Sequence, residues 1–413
     1  MCSLQGALDK AIRKEFSFAR MGAKVLERRL AQLGVDLTDV QKRKLQDQLT
    51  RNDIGSLSLN LDDSQVPAHI LATHPPDDGK LIIELGNTEP IIDDLARQLS
   101  DQLMVVVPRI ASEIGDGITN TLMQRSRRML KSRRKETARY ESRLIKSWQR
   151  SLDSLETMIV IATEAGEECN GQLRAAPHQD LPHLIEAATR LHARSCQVSS
   201  EILTLLKSGY SDGAHARWRC LHEIAVVLFF LAAKGDDIAE AYLLHGAIDS
   251  YRAAQIYQQQ CERLGFEPYS DDEMHKFAED RTALLNRYGP LYGEEYGWAA
   301  ITLGKKHTTF RDIEDSIELK HMRPYYKMAS HNVHANPKGI YFRLGLSSDE
   351  SDILLAGPSS YGLTDPGQGV AVSLLQTTTA LLTIEPNLDR LVMCNVLKNV
   401  ADRAQEAFLL SDE

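Results

Sequence analysis

The stretch His215-Ala-Arg-Trp-Arg-Cys-Leu-His-Glu-Ile-Ala-Val-Val-Leu-Phe-Phe-Leu-Ala-Ala-Lys234 is the most apolar helix that the sequence predicts. Its second half, from Ile224 to Ala233, contains no charged residue, whereas its first half carries arginines, histidines and a glutamate. Such a helix must be covered by other elements on most sides. The uninterrupted apolar run is also shorter than the roughly 18 residues needed to cross a bilayer. The stretch is therefore predicted as a partly buried helix of a bundle and not as a membrane span.

Further helical patterns flank this segment on both sides. Short connections rich in Gly, Ser and Asp join several of them, which favours antiparallel neighbours. We therefore predict a mainly α protein whose C-terminal domain, residues 171–413, is a helical bundle. The helices of this bundle are expected at about 182–208, 212–234, 236–265, 271–288, 367–384 and 388–410.

The sequence before the bundle divides into two regions. Residues 1–120 are predicted to form an N-terminal helical region with a small β element. Residues 1 to about 52 show a helical period, and the break at Gly34-Val-Asp-Leu-Thr-Asp39 predicts a helical hairpin there. Pro108 predicts a kink or a junction in the helical pattern that follows Ile91. Residues 121–170 predict a long basic helix that connects to the core.

Short alternating segments indicate one or two small β-hairpins. Leu57-Ser-Leu-Asn-Leu61 alternates with period two, and Lys80-Leu-Ile-Ile-Glu-Leu85 is a second strand candidate in the N-terminal region. A further β-hairpin is expected near residues 340–356, where it would cover one end of the bundle.

Composition excludes several functional classes. The chain has 413 residues, 43% of them hydrophobic, and six cysteines without a Cys-x-x-Cys pair, so neither a disulfide framework nor structural zinc is expected. There is no Walker loop, dinucleotide-binding glycine pattern or nucleophile elbow, and we expect no cofactor. The N-terminal residues lack the pattern of a secretory signal, which predicts a cytoplasmic protein without a membrane partner.

The charge is distributed unevenly along the chain. Residues Arg125 to Arg150 hold eleven Lys/Arg and two Glu, a net charge of +9, which leaves -18 for the remaining residues of a chain with net charge -9. Such a basic rod is either a solvated helix or a contact surface for nucleic-acid phosphates. The candidate nucleic-acid-binding residues are Arg127, Arg128, Lys131, Arg133, Arg134 and Lys135.

A second helix, which ends at Asn336-Pro337, has the pattern of a functional site. At helical spacing its polar stripe consists of Arg323, Lys327, Ser330, His331 and His334. The opposite stripe is expected to pack and consists of Met322, Tyr325, Ala329 and Val333.

Both helices leave alternatives open. Arg219 and Glu223 are spaced to pair within one helix, either as a structural ion pair or as part of a pocket. His331 and His334 could be structural histidines, two ligands of a divalent metal, or general acid and base beside cations. No Glu-x-x-His accompanies them, so we predict no metal site.

Two strings, Arg219-Cys-Leu-His-Glu223 and Ser330-His-Asn-Val-His334, together resemble an uncharacterised bacterial domain family of helical proteins. That family is similar in turn to the HEPN superfamily of helical bundles, and the resemblance covers roughly residues 180–400. Many HEPN members are ribonucleases of toxin and antiphage defence systems, with active sites at dimer interfaces. These nucleases carry an Arg followed a few residues later by a His. Arg217-x4-His222 has this spacing, with Trp218 where a polar residue is usual.

Two functional hypotheses follow. The first is a HEPN-like homodimer that binds RNA and cleaves it by metal-independent acid/base chemistry. Its catalytic residues would be Arg219, Glu223, His331 and His334. The second is a non-enzymatic helical binding or scaffold module whose basic rod docks nucleic acid or an acidic protein partner.

Overall fold

The computed structural model describes residues 4–6, 9–10, 18–50, 58–73, 89–175, 180–347 and 353–411. Throughout these residues the chain is mainly helical, and they contain no β-strand. The chain forms two compact units, Met1–Leu130 and Lys131–Glu413. Within the described residues, no helix combines the length and apolar character required to cross a membrane.

The first unit contains the predicted helical hairpin. Helices α1 (Phe18–Gln32) and α2 (Asp39–Thr50) are joined at Gly34, whose φ of 83° is a conformation that glycine adopts without strain. Thr38 caps α2, because its Oγ1 accepts from the backbone N–H of Gln41 while its own N–H donates to the Gln41 side chain. The hairpin encloses a small apolar core, which α3 (Ala68–Thr73) also joins.

Helix α4 (Glu89–Ser147) is 59 residues long and includes the basic rod as far as Ser147. It continues through Pro108, so this proline does not mark a junction between two helices. At a rise of 1.5 Å per residue the helix extends for about 90 Å. The sequence pattern predicted its basic half but not its full length.

The second unit is built around the apolar stretch quoted above. That stretch lies in helix α7 (Ser211–Lys234), where residues such as Leu221, Val226 and Phe230 are fully buried. The helices that form the bundle with α7 are α5 (Gln149–Ala175), α6 (Pro182–Lys207), α15 (Thr364–Leu382) and α16 (Leu388–Ser411). The bounds of α6, α7, α15 and α16 agree closely with the helices predicted from sequence, whereas residues 149–170 of α5 were predicted as the continuation of the long basic helix.

Close helix approach in this bundle depends on glycine. A Cβ on Gly369 of α15 would lie 2.8 Å from Nε1 of Trp218, and Trp218 Nε1 donates to Ser373 at 3.0 Å. A Cβ on Gly166 of α5 would lie 2.2 Å from the ring of His192 on α6. Both positions admit only a hydrogen atom because a buried ring occupies the space.

The remaining helices of the second unit lie between α7 and α15 in the sequence. One group, α8 (Asp236–Leu244), α9 (Gly246–Leu264), α10 (Asp271–Tyr288) and α11 (Gly297–Leu303), extends the apolar core at the end of α7. The other group, α12 (Phe310–Ser316), α13 (Arg323–Val333) and α14 (Pro337–Tyr341), positions the site described below.

The predicted β-hairpins are wrong wherever the structure describes the residues. Residues 58–61 adopt no regular element, and Leu57 and residues 80–85 lie outside the described part of the chain. In the predicted hairpin near 340–356, the described residues 340 and 341 belong to α14 and the others form turns or irregular segments. Asn336 starts α14 by accepting the backbone N–H of Gly339 at 2.8 Å, with Pro337 in the first turn.

Candidate functional site

Helix α13 packs on α7, and this contact brings the two predicted site helices together. Arg219 Nη1 of α7 lies 3.3 Å from Nε2 of His334, the residue that caps the end of α13. The guanidinium group can only donate, so His334 Nε2 is the acceptor of this hydrogen bond. His334 is exposed, so the pair lies at the surface.

Glu223 and Tyr326 hold the arginine from the other side. Arg219 Nε donates to Glu223 Oε1 at 3.1 Å, and the Tyr326 hydroxyl donates to the same oxygen at 2.6 Å. The guanidinium carbon lies 4.7 Å from the centre of the Tyr326 ring. Such stacking adds a cation–π attraction to the hydrogen bonds, so the guanidinium is fixed on three sides.

The protonation states of this group follow from burial and pairing. Burial alone would lower the pKa of Arg219, but its interactions with Tyr326 and Glu223 outweigh that effect and raise the pKa above its ordinary value. Burial raises the pKa of Tyr326, and its hydrogen bond to Glu223 raises it further. The tyrosine therefore remains a hydrogen-bond donor, and Arg219 remains a cation.

A buried charge cluster fixes α13 against α7 and α12. Glu314, which is 1% exposed, accepts from His222 Nε2 at 3.0 Å and from Arg323 Nε at 2.7 Å. Burial would raise the pKa of Glu314, but the bonds to His222 and Arg323 hold it below the ordinary value. Arg323 also bonds Asp315 at 2.8 Å. One buried carboxylate thus ties three helices together.

The predicted polar stripe of α13 is only partly brought to the site. His334 reaches Arg219, whereas Arg323 is engaged by Glu314 and Asp315. His331 is half-buried, and its Nδ1 accepts from Asn336 Nδ2 at 3.3 Å. The structure therefore joins Arg219, Glu223 and His334, and places His331 in a separate contact.

The predicted packing stripe of α13 is partly wrong. Tyr325 is 44% exposed and Val333 is 49% exposed, whereas Ala329 is fully buried as expected. Tyr326 packs instead, with its ring 5.1 Å from Phe310 and 5.8 Å from His222. The two adjacent tyrosines point to different sides, and the sequence pattern selected the wrong one.

The Arg217-x4-His222 string is not assembled into one site. Arg217 pairs with Glu201 of α6, whereas His222 is buried against Glu314 of α12. The two side chains leave α7 on different faces. The Arg219 and His334 pair, joined through tertiary contact, is the closest arrangement of a guanidinium and an imidazole among the predicted site residues.

A cleft of about 150 Å³ lies one helical turn from Arg219. His215 and Trp218 of α7 line one wall, and Asp365 and Gln368 of α15 line another. His215 is 1% exposed, and neither ring nitrogen has a hydrogen-bond partner among the described residues. Burial lowers the pKa of His215 to about 4, so the ring is neutral at physiological pH.

The six predicted nucleic-acid-binding cations of α4 are all exposed. Arg133 lies 3.7 Å from Glu136, a weak surface pair. At helical spacing these cations point in several directions around the helix rather than along one stripe.

Sequence reasoning missed two residues of the site. Tyr326 was missed because its neighbour Tyr325 fitted the packing stripe better. Glu314 was missed because no local pattern places it opposite His222, which is 92 residues away. Among the described residues, no cluster of three or more histidine, cysteine or carboxylate side chains is arranged to hold a metal ion.

Comparison with known proteins gives one match. Residues 186–352 match a family of unknown function (DUF5677). The matched segment begins within α6 and includes α7, α12, α13 and α14, so it contains every residue of the Arg219 and His334 site. No curated protein and no solved structure matches the chain.

Proposed function

We propose that the Arg219 and His334 pair binds a phosphodiester of RNA and promotes its cleavage without a metal ion. The observation that carries this proposal is the 3.3 Å contact between Arg219 Nη1 and His334 Nε2 at an exposed position. A guanidinium beside a neutral imidazole combines a phosphate ligand with a general base. The resemblance to HEPN ribonucleases supports the same substrate class and a role in toxin or antiphage systems.

The chemistry assigns one role to each residue. A phosphate oxygen replaces His334 as the acceptor of the Arg219 N–H group, which frees the lone pair of His334 Nε2. That nitrogen then accepts the proton of the ribose 2′-OH while the 2′-oxygen attacks phosphorus. The 5′-oxygen leaves with its electron pair and takes a proton from water. The products are a 2′,3′-cyclic phosphate end and a 5′-OH end.

Glu223 and Tyr326 would act as positioning residues for Arg219. Glu223 accepts the hydrogen bond of Arg219 Nε, and the Tyr326 ring stacks on the planar face of the guanidinium, which leaves the Nη atoms to face the substrate. A guanidinium fixed before substrate arrives stabilises the additional negative charge of the transition state with little reorganisation.

The test compares RNA cleavage by the full-length protein and by His334→Ala, in the presence of EDTA. Removing a general base costs on the order of 100-fold or more in rate, so the variant should be nearly inactive. His275→Ala is the matched control, because His275 is an exposed histidine on α10, far along the chain from the site. An RNA with a 2′-deoxyribose at the cleaved position should remain intact.

The outcomes separate cleavage from binding. Absence of cleavage by both the wild-type protein and His334→Ala would contradict the proposal. Cleavage of the 2′-deoxy substrate would contradict the role of the 2′-OH. RNA binding that persists unchanged in His334→Ala, without any cleavage, would favour the second candidate function.

That second candidate is a non-enzymatic module whose basic rod docks nucleic acid or an acidic protein. It is favoured by the exposure of Arg127, Arg128, Lys131, Arg133, Arg134 and Lys135 on one long helix. Their contacts would neutralise phosphates without reading bases.

A further inference from the structure

Helix α4 carries an apolar stripe most of whose members are exposed. Its members are Leu103, Val107, Ile110, Ile114, Ile118, Leu122 and Met129, spaced mostly three or four residues apart. Ile110 and Ile114 are each 37% exposed, Ile118 is 49% exposed and Leu122 is 57% exposed. Large apolar side chains at this spacing form the contact face of a helix that packs on another helix.

Isolation of this segment is energetically unfavourable. A helix with an unpacked apolar face draws little stability from tertiary contacts, although most helical stability in proteins comes from packing of an apolar face. Gly115 and Gly117 lie in the middle of the segment and weaken the isolated helix further, since each glycine costs about 1 kcal/mol relative to alanine. A Cβ added at either position would meet no atom within 4 Å.

The charges of α4 favour one orientation, parallel or antiparallel, for a pair formed by this helix and the same helix of a second copy. Residues 89–118 contain six acidic and two basic residues, a net charge of -4, whereas residues 119–147 contain ten basic and two acidic residues, a net charge of +8. In a parallel pair the two basic halves would face each other. In an antiparallel pair each acidic half faces a basic half.

The stripe is also nearly symmetric about Asp116. An antiparallel pair with its two-fold axis beside this residue places Ile114 opposite Ile118 of the second copy, and Ile110 opposite Leu122. The same register places Leu103 opposite Met129. Two helices paired over residues 103–129, about 40 Å, bury roughly 1,000 Å², near the lower limit for a specific interface.

We propose that residues 103–129 of α4 pair with the same residues of a second copy of this chain, in antiparallel orientation. The interface would be independent of the Arg219 and His334 site and of any RNA. Arg127 and Arg134 would lie on the opposite side of α4 from this interface, because each is displaced from the stripe by about half a helical turn. These two cations would remain accessible in the dimer.

The first test measures the oligomeric state of the full-length protein by light scattering and sedimentation. The wild type should be a dimer, and Ile114→Asp/Ile118→Asp should raise its dissociation constant by on the order of 100-fold or more. Ser112→Asp/Thr119→Asp is the matched control, since it places the same charges on the opposite face of the same turns. Circular dichroism should show equal helix content in both variants.

The second test fixes the orientation by disulfide crosslinking. Ile110→Cys/Leu122→Cys should form a crosslinked dimer on mild oxidation, because the two positions face each other only between antiparallel copies. Each single variant should remain uncrosslinked, since positions 110 of the two copies would be about 18 Å apart. A monomeric wild type, a dimer that survives Ile114→Asp/Ile118→Asp, or crosslinking of the single variants would overturn the proposal.

Discussion

His192 and His215 are two imidazoles that the fold keeps uncharged. His192 is 4% exposed, with its Nε2 3.0 Å from Thr378 Oγ1, and His215 stacks on Trp218 at 5.5 Å. Burial lowers the pKa of each ring from 6.5 to about 4. Lowering the pH therefore stabilises the unfolded chain relative to the folded protein, because near pH 6 these two histidines take up protons only in the unfolded chain.

We expect the free energy of unfolding to be greatest above pH 6.5 and to decrease between pH 6.5 and pH 4. Each of the two histidines should contribute a loss on the order of 3 kcal/mol across this range. Urea unfolding at a series of pH values measures the effect. His192→Gln should show a shallower decrease, and His275→Gln, at an exposed position, should follow the wild-type curve. Equal curves for all three proteins would contradict this assignment.

At the same scale, sequence predicted local pairs but not distant ones. Arg219 and Glu223 are one helical turn apart, so their pairing follows from spacing alone. The contact between Arg219 and His334 joins residues 115 positions apart and depends on how α13 packs on α7. The helical period could group His334 with His331, but it could not determine which of the two reaches another helix.

At the scale of a helix, α5 offers two glycines with opposite expected effects. Gly166 faces α6, where a Cβ would lie 2.2 Å from the buried ring of His192. Gly171 lies on the same helix with no atom within 4 Å of an added Cβ. Gly166→Ala should destabilise the protein by about 1–3 kcal/mol through overpacking. Gly171→Ala should instead stabilise it by up to about 1 kcal/mol through helix propensity.

Thermal or urea unfolding of the two alanine variants tests this pair directly. Both substitutions add one methyl group to one helix, so any difference reports the surroundings of the glycine. Equal stabilities would mean that α5 and α6 do not approach closely at Gly166.

The helices of the bundle could be predicted because their apolar period extends over many residues and their ends carry Gly, Ser and Asp. The β-hairpins were predicted from segments of five to seven residues, where alternation is a weak signal. Asn336-Pro337 was interpreted as a helix terminator, and α13 does end before it, at Val333. The same two residues also start α14, which was not predicted, since Asn at a cap and Pro in the first turn are the pattern of a helix beginning.

At the scale of the whole molecule, the concentration of positive charge on α4 predicts how nucleic acid would bind. The chain has a net charge of -9 and therefore repels phosphates over most of its surface. The long basic helix α4 is the part of the chain that would attract them. Affinity for a single-stranded RNA should therefore decrease steeply as salt increases. The slope reports the number of phosphates contacted.

Arg127→Glu/Arg134→Glu should weaken RNA binding and reduce the salt slope by roughly two phosphate contacts or more. The matched control is Arg263→Glu/Lys276→Glu, which reverses two exposed cations on α9 and α10. Fluorescence anisotropy at several salt concentrations measures both quantities. If the two variants behave alike, the basic rod is an ordinary solvated surface.

The order of the helices has a practical consequence for fragments of this chain. The family match ends at residue 352, before α15 and α16 begin. A fragment limited to the match would leave Trp218 without its acceptor Ser373 and without the helix that Gly369 brings close. It would also lack α5 and expose the most apolar helix of the chain to water. Such a fragment should aggregate, so a recombinant protein meant to retain the Arg219 and His334 pair must extend through Phe408, whose ring lies against Gly367 of α15.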